Sequence, residues 1–252
     1  MFVDSDDFLP KNAISTLVKS IEESKTDYVT GSYQFLYASE LVPHSSRLAP
    51  GIYVTKDLLP IFIDDGTLSG FLLGSVWGGI YKADIIKNKH ILFDANIKNN
   101  EDGLFNFEYA INTDKLLVIN DIVYVYRQYG ENTTARRNPE YDYNKQIIEK
   151  FNTLDWDREG NRLTEQIKAR NVSLALWDIL LYPKGMSFAE GRRYISNRIK
   201  QPKVREGLNQ INFKKTPKYK KLFAYLIKFK CSISLYLIVK YIYPFFLSRL
   251  RR

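Results

Sequence analysis

Cysteine and histidine are almost missing from this 252-residue chain: Cys231 stands alone, and His44 and His90 are the two histidines. A single thiol excludes an intrachain disulfide and any cysteine-rich zinc site, and it fits a reducing compartment. Two histidines leave little material for histidine metal clusters or for Ser-His-Asp hydrolysis. Long apolar runs are missing as well. The longest uncharged stretch of the apolar C-terminal region, Cys231 to Val239, falls far short of the roughly 20 residues that span a bilayer. The first residues do not show the basic segment and apolar stretch of a secretory leader. A basic body is also absent: net charge is +9, but residues 214–252 hold eleven of the 37 Lys and Arg and no acid. What remains is 26 basic against 28 acidic residues, so the high pI belongs to the C-terminal segment and no basic face is left for nucleic acid. Any chemistry falls to carboxylates.

What is present is enough for a core, at 45% apolar residues, with the grammar of an α/β protein. Phe2 and Val3 read as the C-terminal end of a buried strand that stops at Asp4, Ser5, Asp6 and Asp7. Carboxylates one residue apart suit a hard divalent ion such as Mg²⁺ or Mn²⁺ that takes its other ligands from water and a diphosphate. The competing reading is a polar turn ahead of a helix. A helix follows Pro10, with Ile14, Leu17, Val18 and Ile21 on one face, and then a strand from Tyr28 to Tyr37. Because a strand that ends in such carboxylates is not the first element of a nucleotide-binding sheet, and each βαβ unit takes about 30 residues or more, the reading implies a longer protein whose N-terminal units precede Met1.

Residues 39–75 read as a variable excursion with a short helix from Thr55 to Ile63. Val76 to Lys82 reads as a strand interrupted by Gly78 and Gly79, where a ligand or another backbone comes close. Trp77 beside them either stacks on a sugar face or fills the core next to a bulge. After a short helix at Ala83 to Lys87, Asn100 is the expected cap of a helix whose first turn carries Glu101 and Asp102. Such acids gain from the helix dipole whether or not they do chemistry. Leu116 to Val118 and Ile122 to Tyr126 read as a pair of strands separated by a turn at Asn120 and Asp121. Arg127 leaves the second toward the polar loop Asn132, Thr133 and Thr134, placed either for a diphosphate or for solvent.

From Tyr141 the chain turns helical, with Leu163, Ile167, Leu174, Trp177 and Leu181 on one stripe and a capping box at Ser187 to Glu190. Residues 214–252 form a basic, aromatic tail. It either lies on an anionic membrane surface or packs as a last helix with solvated lysines.

Phe2-Val3-Asp4-Ser5-Asp6-Asp7, Val76-Trp77-Gly78-Gly79-Ile80-Tyr81-Lys82, Asn100-Glu101-Asp102-Gly103-Leu104-Phe105 and Tyr124-Val125-Tyr126-Arg127, taken in this order and spacing, resemble family 2 glycosyltransferases of the bacterial polysaccharide-building kind. The resemblance covers about residues 1–135 and implies a partial GT-A, Rossmann-like sheet with helices, lacking the N-terminal half of the nucleotide-binding domain. A helical extension at 136–213 and the tail at 214–252 follow. It further implies an inverting, metal-dependent transfer of sugar from a nucleotide-sugar to a glycan or lipid-linked acceptor, in cell-surface polysaccharide synthesis. The place would be the cytoplasm, peripheral at the inner face of the cell membrane. Carried across, Asp6 is the principal Mg²⁺ or Mn²⁺ ligand and Asp4 sits by ribose and metal. Asp102 is the base, Arg127 meets the diphosphate, and Trp77 and Glu101 serve the acceptor. The alternative is a non-catalytic remnant or a membrane-docked subunit of a polysaccharide assembly.

Overall fold

The computed structural model describes residues 1–37, 40–97, 99–128 and 143–243, arranged as two compact units. The loop at Asn132 to Thr134, the helix onset at Tyr141 and the tail beyond Tyr243 lie outside the described residues.

The first unit comprises residues 1–62 and 72–156. Its sheet is built from β1 (Tyr28–Tyr37), β2 (Glu40–His44), β3 (Gly51–Val54), β4 (Gly79–Tyr81) and β5 (Lys115–Gln128). The order is β2-β1-β5-β3, with β4 paired to the first residues of β1, on the edge away from β5. β1 and β5 run parallel and every other pair is antiparallel, so this is an α/β fold on a mixed sheet. β1 has the length and position that its Val, Thr, Tyr and Phe content implies.

β5 corrects an expectation. Asn120 and Asp121 form no turn between separate strands; a single strand runs through them, and its register against β1 shifts between Thr30 and Tyr33. Gly31 makes this approach possible, because a Cβ there would lie 2.6 Å from the Asp121 carbonyl oxygen.

Helix α1 (Ala13–Ser24) packs on one face of the sheet through Ala13 and Leu17, against Val29 and Val123. Ile14, expected on that face, is 55% exposed. Helix α4 (Glu101–Ala110) is buried on most of its surface, from Gly103 through Phe107 and at Tyr109 and Ala110. The short helices α2 (Thr55–Leu58) and α3 (Ala83–Asn88) and the longer α5 (Tyr143–Thr153) complete the unit.

The second unit comprises residues 63–71 and 157–252, of which the described residues end at Tyr243. Helices α6 (Leu163–Leu181), α7 (Phe188–Lys200), α8 (Pro202–Gly207), α9 (Lys218–Lys228) and α10 (Ser232–Leu237) surround a core that includes Val172, Ile179, Ile195, Ile199, Phe223, Ile227 and Tyr236. The capping box at Ser187 and Glu190 is present. Trp177, expected on the buried stripe of α6, is 46% exposed. The units have boundaries of their own: residues expected to form a separate tail from 214 contribute Phe223, Ala224, Ile227, Leu235, Tyr236 and Val239 to this core.

Candidate active site

Asp4 to Asp7 form a tight turn, closed by the Asp7 N–H donating to the Asp4 carbonyl at 3.1 Å, and the turn is stitched to β5. Phe8 and Val125 exchange both backbone hydrogen bonds, at 3.3 and 3.0 Å. Asp7 is buried, and both its oxygens are engaged: Oδ2 accepts from the Tyr124 hydroxyl and Oδ1 from the Arg127 N–H, each at 2.8 Å. The Asp4 N–H in turn donates to the Tyr124 oxygen at 3.1 Å. Asp7 is therefore the anchor of the turn, while Asp4 and Asp6 stay exposed. Burial and then the charges of Asp7 and Asp6 raise the Asp4 pKa.

Opposite this turn, Asn100 begins α4 with φ 68° and makes no side-chain cap; its amide donates to Asn99 instead, at 2.6 Å. The expected cap is thus replaced by a left-handed residue, a conformation that asparagine tolerates. The residue that sets the geometry is Asn106. Its Nδ2 donates to the Leu73 and Ser75 carbonyls at 3.0 and 2.8 Å, and its Oδ1 accepts from the Tyr81 hydroxyl at 2.7 Å. These bonds tie residues 73–76 to α4 and bring the Val76 N–H to Asp102 Oδ2 at 3.2 Å. Asn106→Leu is expected to lower stability by about 1–3 kcal/mol for each buried carbonyl left unpaired, measured by denaturant unfolding.

Asp102 has its pKa raised to about 6, by burial first, against the Val76 hydrogen bond, and then by the charges of Glu101 and Asp4. The fold thus brings Asp4 and Asp102, 98 positions apart in sequence, into one electrostatic field. A parallel bridge joins Phe2, two residues before Asp4, to Trp77, the residue after Val76. The Phe2 ring meets Tyr81, Phe93 and Phe105 edge-on at 5.2–5.6 Å. Trp77 is half-buried and stacks on Tyr124 at 4.7 Å and on Tyr126 at 5.4 Å, so one of its faces is already covered. Gly79 is required by the Tyr28 side chain, whose hydroxyl a Cβ would approach to 2.5 Å and whose ring carbons to 2.7 Å. The glycine signal therefore marks close packing by a protein ring.

Arg127 is held at its N–H by Asp7, and its guanidinium lies 5.5 Å from the Phe8 ring centroid. Glu101 is exposed at the start of α4. In sequence Asp7 looks like its acidic neighbours, and Asn106 carries only the faint signal of a lone amide amid Leu104, Phe105 and Phe107.

The residues fit a divalent ion in one respect. Asp4 and Asp6 are acceptor-only oxygens crowded by like charge, which is the donor set a hard cation takes. Among the described residues no cluster of three or more His, Cys, Asp or Glu could hold a metal, and a hard ion held by two carboxylates takes its other ligands from further oxygens.

No family model matches the chain. Over 130 residues, half of its length, it is 32% identical to the glycosyltransferase GlyA of Streptococcus pneumoniae serotype 4. The match spans 18% of that protein. Among solved structures the chain is similar to residues 1–349 of S. aureus TarS in complex with UDP-GlcNAc, with 17% identity and a TM-score of 0.49 over 97% of this chain and 67% of that one. It is also similar to S. aureus TarS, with 14% identity and a TM-score of 0.47, over 95% and 39%.

Proposed function

We propose that this chain belongs to a family 2 glycosyltransferase of the GT-A kind, which moves a sugar from a nucleotide-sugar to an acceptor hydroxyl in building a cell-surface polysaccharide. The observation that carries the reading is the 32% identity to a glycosyltransferase over half of the chain, in a fold whose Phe2–Trp77 bridge joins the residues before Asp4 to the segment that Asp102 holds at Val76.

In this reading Asp102 accepts the acceptor hydroxyl proton on Oδ1, since Oδ2 is held by Val76. The acceptor oxygen bonds to the anomeric carbon while the bond from that carbon to the diphosphate oxygen breaks. The leaving nucleoside diphosphate keeps the electron pair, and configuration inverts. Arg127, steadied by Asp7, faces the diphosphate. Glu101 and Trp77 border the acceptor. Asp4 and Asp6 would hold Mg²⁺ or Mn²⁺, whose charge would offset that of the leaving group.

The second unit carries the membrane side of the proposal. Tyr219, Leu222 and Tyr225 on α9, Phe229 just past its end, and Ile233 and Leu237 on α10 are all exposed, beside exposed Lys218, Lys228 and Lys230. Among the described residues no helix is long and apolar enough to cross a membrane. Such a stripe lies in an anionic interface, with rings at headgroup level.

Asp6→Asn tests the donor site, because an amide keeps the shape but loses the charge that a hard cation needs. Titration of nucleotide-sugars in Mn²⁺ by calorimetry should show binding weakened by about tenfold or more, with little change when the ion is omitted. Unchanged ion-dependent binding removes Asp6 from the site.

A further inference from the structure

Beyond Trp77 the sheet face that carries the site continues as a row of rings that transfer chemistry does not use. Tyr33, Phe35 and Tyr37 alternate along β1 and therefore share one face. In the parallel register Tyr33 lies beside Tyr124 and Phe35 beside Tyr126, so the β5 rings belong to the same face. The contacts are continuous: Tyr33 meets Trp77 edge-on at 5.0 Å, Phe35 meets Tyr33 at 5.3 Å, and Tyr37 lies 5.8 Å from Phe35. From β2, His44 stacks on Tyr33 at 5.6 Å. Tyr33, Phe35, Tyr37, Trp77 and Tyr126 are each half-buried, so the row is not sealed from solvent.

We propose that this face binds an extended, neutral glycan several sugars long, the acceptor chain whose terminal hydroxyl is presented to Asp102. The inference rests on the transfer reading above and adds the class of acceptor. Three features choose a glycan over a protein surface. The row starts at the site itself, since Trp77 is bridged to Phe2 and follows the Val76 that Asp102 holds. Neighbouring rings along the row lie 5.0–5.8 Å apart and are turned edge-on or tilted to one another, so a chain of sugars meets ring faces and ring edges in turn. The rings are mostly Tyr and Trp, with apolar bodies for sugar C–H faces and polar edges for hydroxyls, and His44 adds a further polar edge.

The test is calorimetry with neutral hexasaccharides and disaccharides of cellulose, chitin and amylose types, run beside nucleotide-sugar titrations. At least one hexasaccharide should bind, and Phe35→Ala or Tyr33→Ala should weaken it by about tenfold or more, the size expected for losing one stacked ring. Tyr33→Phe, which keeps the ring, should restore most of the affinity. Nucleotide-sugar affinity should not change, and the alanine variants should stay folded with a melting temperature lowered only as far as loss of a half-buried ring requires. Absence of binding by every hexasaccharide, or equal binding by the alanine variants, overturns the proposal. So does a loss of self-association in Phe35→Ala without a change in glycan affinity, which would make the face a contact between copies. Phe35-dependent glycan binding in a protein that takes no nucleotide-sugar would support the face and overturn the transfer reading.

Discussion

Asp102→Asn is expected to lower sugar transfer by roughly 10²- to 10⁴-fold while leaving nucleotide-sugar binding near its parent value, since a positioned base is lost and the diphosphate contacts are not. The variant should fold. Asparagine can still accept the Val76 N–H and occupy the first turn of α4. The pH dependence carries the same signature. A base works deprotonated, and the Asp102 pKa stands at about 6, so transfer should rise through pH 6 and level off above it. Stability runs the other way. A folded pKa raised above the unfolded carboxylate value contributes stability that is fully present below the unfolded pKa and is lost as pH rises toward 6. Asp102→Asn removes that loss, so at pH 7 to 8 the variant should melt no lower than the parent. Near-normal transfer by a folded Asp102→Asn would return Glu101 and Asp102 to ordinary helix-start acids, and would favour the non-catalytic subunit.

The sequence alone suggests that the helix N-terminus and a metal site hold Asp102 ionised, yet burial is the largest influence on its pKa. The reason is tertiary: α4 is covered on most of its surface, which no local pattern of acids discloses. Elements with strong period were legible, as at Tyr28–Tyr37 and at the capping box of α7. Those set by a neighbouring element were not. Asn120 and Asp121 look like a turn, and only the adjacent strand, with Gly31 yielding space, carries β5 straight through them. Asp7 resembles Asp4 and Asp6 in sequence and differs because Tyr124 and the Arg127 N–H saturate it. The aromatic row was written in alternating Tyr33, Phe35 and Tyr37, but its continuation through Trp77 and Tyr126 exists only once the strands are paired.

The same distinction decides how the membrane proposal is tested. Deleting residues 214–252 would remove Phe223, Ile227, Leu235 and Tyr236 from the core of the second unit, so loss of lipid binding would report unfolding. Two lysines of the segment also serve the fold: Lys220 donates to the Leu68 carbonyl at 2.9 Å, and Lys240 to the Met186 carbonyl at 3.1 Å. The outer stripe is separable from this. Leu222, Phe229 and Ile233 are exposed, Phe229 at 69%, so replacing all three with glutamate should leave the melting temperature within a few degrees of the parent. Binding to vesicles rich in anionic lipid should fall by about 100-fold or more, since each apolar side chain kept from the interface forfeits on the order of 1 kcal/mol or more. Raised salt should weaken the parent too, by up to about 1 kcal/mol for each lysine near the surface. Co-sedimentation of the triple variant with anionic vesicles to the same extent as the parent would remove the membrane from this model. A parent that self-associates and a variant that does not, with no lipid binding in either, would assign the stripe to a second copy of the chain.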